Sequence, residues 1–75
     1  MDKTDINYKR TPMGKYYLTP KDLSERWGVT EQTLANWRYE GKGPKFYRGA
    51  VPGVRVVYYL SSIESYERKI EGDND

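Results

Sequence analysis

Cysteine and histidine are both missing from this chain of 75 residues. Without cysteine there are no disulfides and no thiolate metal sites. Without histidine the commonest general base is gone, and most zinc sites with it. The hydroxyl and thiol nucleophiles that depend on a histidine partner fall away as well. An enzyme would have to work through carboxylates alone. No catalytic constellation, metal site or cofactor motif stands out, so the chain is not expected to be an enzyme. Long apolar runs are lacking too. Nothing approaches the roughly 18 apolar residues that a membrane helix needs, and the N-terminus has no signal-peptide stretch. The expectation is a cytoplasmic protein that makes no membrane contact. Phenylalanine occurs once, but there are eight tyrosines and two tryptophans, whose large rings help a small chain bury enough surface. The length allows one domain and lies near the lower limit for folding alone.

Net charge is only +2, so the overall balance does not choose a partner. The distribution is more informative. Residues 1–15 carry four positive and two negative side chains, residues 16–60 seven and four, and residues 61–75 two and five. Between 38 and 55 the positive residues are Arg38, Lys42, Lys45, Arg48 and Arg55, against Glu40 alone. A local basic stretch is the electrostatic footprint of a nucleic-acid contact. The plainer alternative is a solvated loop, and charge by itself does not separate the two.

Residues 1–15 are polar and aperiodic, with Pro12 and Gly14, and read as a flexible basic arm. The domain proper spans 16–71, and 72–75 is an acidic tail. Thr19-Pro20 is a helix start: a hydroxyl N-cap, then proline at the first helical position, where its missing N–H costs nothing. Asp22 adds a favourable charge to the first turn. Leu23 and Trp27 lie one turn apart on a face, and Gly28 ends the helix. Val29-Thr30 opens a second helix at once, with Thr30 as cap and Val29 placed to staple against Leu34. Leu34 and Trp37 share its apolar face, and Gly41 ends it. Two short helices joined by a tight glycine-containing turn form a helix-turn-helix pattern.

Gly43-Pro44 then breaks the chain. The pattern predicts a strand over 45–48, a turn over 49–53 and a strand over 54–60. In the second strand Val54, Val56, Tyr58 and Leu60 alternate with Arg55, Val57 and Tyr59. A last helix is predicted from Ser61, where Ser61 and Glu64 have capping-box spacing and Ile63, Tyr66 and Ile70 form an apolar stripe. The expected core is Leu18, Leu23, Trp27, Val29, Leu34, Trp37, Phe46, Val56, Tyr58, Ile63 and Tyr66. The fold class is α+β, mostly α: a winged helix-turn-helix with a two-stranded antiparallel wing and a C-terminal helix.

The outer face of the second helix offers Glu31, Gln32, Thr33 and Asn36, with Arg38 further along. Glutamine and asparagine can each bond adenine through N6 and N7 together, and the N-terminal part of a recognition helix is what reaches base edges. A polar face is also what any surface helix shows; the helix-turn-helix context is what favours recognition. Lys42, Lys45, Arg48 and Arg55, on and before the hairpin, suit phosphate contact, with Arg48 or Arg55 also able to enter a minor groove. An edge strand kept soluble by charge is the alternative. Tyrosines can stack on unpaired bases. Tyr58 and Tyr66 sit at core spacing, whereas Tyr47 and Tyr59 are open to either role.

Tyr17-Leu18-Thr19-Pro20-Lys21-Asp22-Leu23, Trp27-Gly28-Val29-Thr30, Thr33-Leu34 and Trp37-Arg38, followed by Gly41-Lys42-Gly43-Pro44-Lys45-Phe46, resemble the excisionase-type, MerR-like winged-helix family. Tyr58, Ser61-Ser62-Ile63 and Tyr66 are similar to its closing strand and helix, so the resemblance runs from about 16 to 70. It implies a recognition-helix role for Gln32, Thr33 and Asn36 and a wing role for residues 45–59. It further implies an architectural protein that binds several adjacent duplex sites near a phage attachment site, bends the DNA and directs a partner integrase toward excision without cutting DNA itself. The long dimerisation helix of full-length MerR regulators is missing, which points to neighbouring copies in tandem on DNA. A small phage transcriptional regulator on the same scaffold is the second reading. A protein-interaction adaptor that adds a strand to the hairpin edge is the third.

Overall fold

The computed structural model describes residues 9–12 and 14–73. It is an α+β structure with three helices and a four-stranded antiparallel sheet. In chain order the elements are β1 (Lys9–Arg10), β2 (Tyr16–Leu18), α1 (Pro20–Trp27), α2 (Glu31–Glu40), β3 (Tyr47–Val51), β4 (Val54–Tyr59) and α3 (Leu60–Asp73). The strands lie in the order β1-β2-β4-β3.

Local rules account for both short helices. Thr19 caps α1 by accepting from the Asp22 N–H, while the Asp22 carboxylate accepts from the Thr19 N–H, a reciprocal capping box. Gly28, in the left-handed region at φ 70°, closes the helix, and its N–H donates to the Ser24 carbonyl. Thr30 caps α2 by accepting from the Thr33 N–H at 3.0 Å. Only residues 28–30 separate the helices, so the tight connection read from the sequence is present.

Four strands replace the expected two: β1 comes from the segment expected to be a flexible arm, and β2 from the first residues of the domain proper. Lys9 and Arg10 pair with Tyr17 and Tyr16, and β2 pairs in turn with β4 through Tyr17–Tyr59 and Leu18–Tyr58. Thr11 between the strands is buried, its carbonyl accepts from the Gly14 N–H, and the Lys9 ammonium lies 3.2 Å from the Asp22 carboxylate on α1. Residues 1–8 and 13 of that arm lie outside the described residues, as do 74–75 of the tail. Helix α3 continues through Gly72 and Asp73.

The hairpin differs in detail from the expected one. β3 begins at Tyr47 and extends to Val51, leaving a two-residue turn, Pro52-Gly53. Arg48 faces Val56 and Val51 faces Val54, so β3 holds one extra residue between those pairs, a bulge beside Gly49 at φ 73°. Helix α3 starts at Leu60, one residue early, which puts Ser61 inside the first turn and not at the cap.

Leu18, Leu23, Leu34, Val56, Tyr58 and Ile63 form the core, with Trp27, Val29, Trp37, Phe46 and Leu60 half-buried against it. Each fully buried aliphatic side chain is worth roughly 1.5–3 kcal/mol. Val57, expected on the outer face, is fully buried as well. The cause is the position of β4 between two neighbours. Tyr47 lies opposite Val57 on β3, Tyr17 lies opposite Tyr59 on β2, and the Tyr47 and Tyr59 rings approach to 4.7 Å across that face. Those two tyrosines are therefore committed to each other. No helix among the described residues is long and apolar enough to cross a membrane.

Candidate nucleic-acid interface

Capping fixes the start of α2, and so fixes which side chains its exposed face presents. Glu31, Gln32 and Asn36 are exposed, and the Gln32 amide donates to the Asn36 carboxamide oxygen at 3.1 Å. The two amides therefore stand one turn apart on one face. Thr33 is half-buried, and its hydroxyl oxygen accepts from the Thr30 hydroxyl at 3.0 Å, so Thr33 serves the cap. Arg38 is half-buried and has a tie to the sheet as well. Its guanidinium donates to the Tyr58 hydroxyl at 2.7 Å and lies 5.8 Å from the Phe46 ring centroid. It ties α2 to the sheet and satisfies the polar end of a buried tyrosine.

An open groove of about 320 Å³ runs between α2 and the hairpin. Glu31, Gln32, Ala35 and Arg38 line it from the helix, and Val54, Arg55 and Val56 from β4. Arg55 thus belongs to the same surface feature as Gln32. Strand alternation puts Arg55 on the face opposite Val56, whereas register puts Arg48 on the face of Val56. The hairpin therefore carries one guanidinium on each face. Arg48 stacks over Phe46 at 5.2 Å while remaining exposed.

The two lysines do not join this groove. Lys42 sits 3.5 Å from the Glu40 carboxylate. Lys45 lines a separate groove of about 370 Å³ against α3, with Ser61, Ser62, Ser65 and Lys69. The basic run in the sequence is thus divided among three places.

One polar cluster had no signal in the sequence. The Arg26 guanidinium, in the last turn of α1, makes two hydrogen bonds to the Glu67 carboxylate of α3, at 2.8 and 2.9 Å, and the Trp27 indole N–H donates to the same carboxylate. Glu67 lies 41 positions from Arg26 and 40 from Trp27, and only the packing of α3 brings them together. The Arg26 hydrogen bonds hold the Glu67 carboxyl below the ordinary range, against the opposing effect of burial. At Asp22 burial is the largest single influence and pushes upward, but the bonds to Thr19 and Lys9 together bring the carboxyl down. A lowered folded-state value means that the unfolded chain binds the proton first. The contribution to stability is therefore complete above the unfolded value, about pH 4.3 for Glu, and is lost as pH falls through the folded value. Thermal melts from pH 7 to 2 should show the stability of the wild type falling below about pH 5, and Glu67→Gln should flatten part of that fall. Parallel curves for the two proteins would show that the cluster contributes nothing.

No protein-family model significantly matches the chain, and neither a curated protein nor a solved structure does.

Proposed function

We propose that this chain is a winged helix-turn-helix protein that binds duplex DNA, with α2 in the major groove and the β3–β4 hairpin as the wing beside it. The observation that carries this reading is the groove in which Gln32 of α2 and Arg55 of β4 meet. Base-reading amides and a backbone-contacting cation are the two kinds of group that a specific DNA interface needs together. The capped three-residue turn between α1 and α2 supports it, because it holds the recognition face at a fixed angle to its partner helix. Arg55, Arg48 and, more weakly, Lys45 and Lys42 supply the phosphate contacts. Arg38 lines the same groove and ties the helix to the sheet through Tyr58.

The resemblance to excisionase-type proteins extends this to an architectural role. Copies bind adjacent sites in the bacterial cytoplasm, bend the DNA near an attachment site and direct an integrase toward excision. Bending a site costs roughly 1–6 kcal/mol, which the added wing contacts offset. Transcriptional regulation on the same scaffold is the companion reading. Strand addition to β3 is disfavoured by its bulge and by exposed Arg48.

Anisotropy of a labelled duplex, titrated at several salt concentrations, tests the DNA reading. With two to four phosphates neutralised, log affinity should fall against log salt with a slope of about −2 to −4. Arg55→Ala should make that slope shallower by about 1 and reduce the bend seen by gel phasing, with tryptophan emission unchanged. A flat salt response would overturn DNA binding. An Arg55→Ala protein with wild-type slope and bend would leave the hairpin a purely structural element.

A further inference from the structure

Helix α3 outreaches the sheet that holds it. It packs on β2 and β4, and Ile63 enters the core. Toward its C-terminus it runs beside the α1–α2 pair at a distance. Among the described residues no Cα of α3 comes within 8 Å of a Cα of α1 or α2. Side chains alone bridge the gap: the Trp27 and Tyr66 rings at 5.6 Å, and the bonds from Arg26 and Trp27 to Glu67. Between the elements lies an open groove of about 670 Å³. Trp27, Trp37 and Tyr66 line it, with Val29 and Ile70. Both indoles remain only half-buried, and Ile70 is 42% exposed. A chain with so small a core gains nothing in folding from leaving these groups open to water. Grooves lined by aromatic and aliphatic side chains are where ligands and partner segments bind by preference.

The rim identifies the kind of occupant. Arg26 is taken up by Glu67, which leaves Glu71 as the uncommitted charge beside the groove. The charged residues that line the groove are Arg26, Glu67 and Glu71, two acidic against one basic, in a chain of net charge +2. Phosphates would be repelled here, and a cationic peptide drawn in. Helix α2 serves two directions: at about 100° per residue, Trp37 points roughly 140° away from Gln32. A partner in the groove therefore leaves the polar face of α2 clear.

We propose that this groove docks a second protein, through a segment that inserts apolar side chains against Trp27, Trp37 and Tyr66 and sets lysine or arginine against Glu71. The mode is that of an apolar anchor in a groove, with charge choosing the partner. It stands independently of DNA binding.

The test titrates the intact chain with three short synthetic peptides, followed by tryptophan fluorescence and calorimetry. One alternates lysine and leucine in an amphipathic pattern, the second replaces its leucines by serine, and the third replaces its lysines by glutamate. Saturable binding is expected for the first alone. Ile70→Asp and Glu71→Lys, both at exposed positions, should each weaken it about tenfold or more, with circular dichroism and DNA affinity unchanged. Equal binding of all three peptides, or wild-type affinity in both variants, would overturn the proposal. Sedimentation that shows a dimer lost on Ile70→Asp would overturn it too, in favour of a second copy of the chain as the occupant.

Discussion

Trp37→Ala is expected to cost about 3 kcal/mol, the low end of the range for aromatic truncation, because the ring is only half-buried. That is a large share of what a chain this long can hold, roughly 4–11 kcal/mol at the usual value per residue. The loss follows from three contacts. The ring packs against the core cluster, it lies 6.3 Å from Trp27, and the backbone at Gly43 is folded onto it. Gly43 has φ 83°, and a Cβ there would sit 3.2 Å from the Trp37 ring, so backbone and indole fit with no space for a side chain. Removing the indole leaves α2, the 41–44 turn and Trp27 without a common partner, and a chain of this size has little else with which to close the void. Urea unfolding followed by circular dichroism at 25 °C reads the effect as a lower midpoint. A variant with the wild-type midpoint would show that the ring adds nothing to folding and serves only the groove beside it.

Gln32→Ala and Asn36→Ala should each cost about 1–3 kcal/mol on a duplex enriched from a random library, or roughly 5- to 150-fold in affinity, and little on random DNA. Both side chains are exposed, so neither change should alter folding. Because the Gln32 amide already bonds Asn36, the double variant should lose less than the two singles combined. Glu31 is ranked below them, since a carboxylate among phosphates is repelled unless it accepts from cytosine. Equal losses on selected and random duplexes would mean that the amides position the protein and read no sequence.

Much of the scaffold for these two experiments could be read from single residues and their near neighbours. Thr19, Pro20 and Asp22 dictate where α1 begins, and Gly28, Thr30 and Gly41 dictate the next three boundaries. Each acts through a bond or a torsion within about four residues, so no other part of the chain needs to be known. Leu23, Leu34 and Ile63 were legible as core because helical spacing alone puts them on one face. Ile70 shows the limit of that rule: it keeps the stripe but stands exposed, because α3 runs past the elements that would cover it.

The candidate site was legible only in part. Glu31, Gln32 and Asn36 are where helical phase puts them. The basic run was misleading as a unit, since Lys42, Lys45 and the two hairpin arginines diverge in space. Arg38 reads in the sequence as one more surface cation, whereas in the fold it lines the groove and is also bonded to Tyr58.

What the sequence by itself determined is the set of features with short range: the helix ends, the tight turn, the alternation of β4, and the absence of cysteine and histidine chemistry. What only the tertiary structure decided is everything that depends on a neighbour distant in the chain. Lys9 and Arg10 have no period and no strand propensity to mark them, and they form a strand because β2 offers an unpaired edge. Val57 is buried because β4 acquired partners on both sides, which alternation along one strand cannot foresee. Arg26, Trp27 and Glu67 meet because α3 is laid beside the helix pair, a distance set by core packing rather than by any local preference.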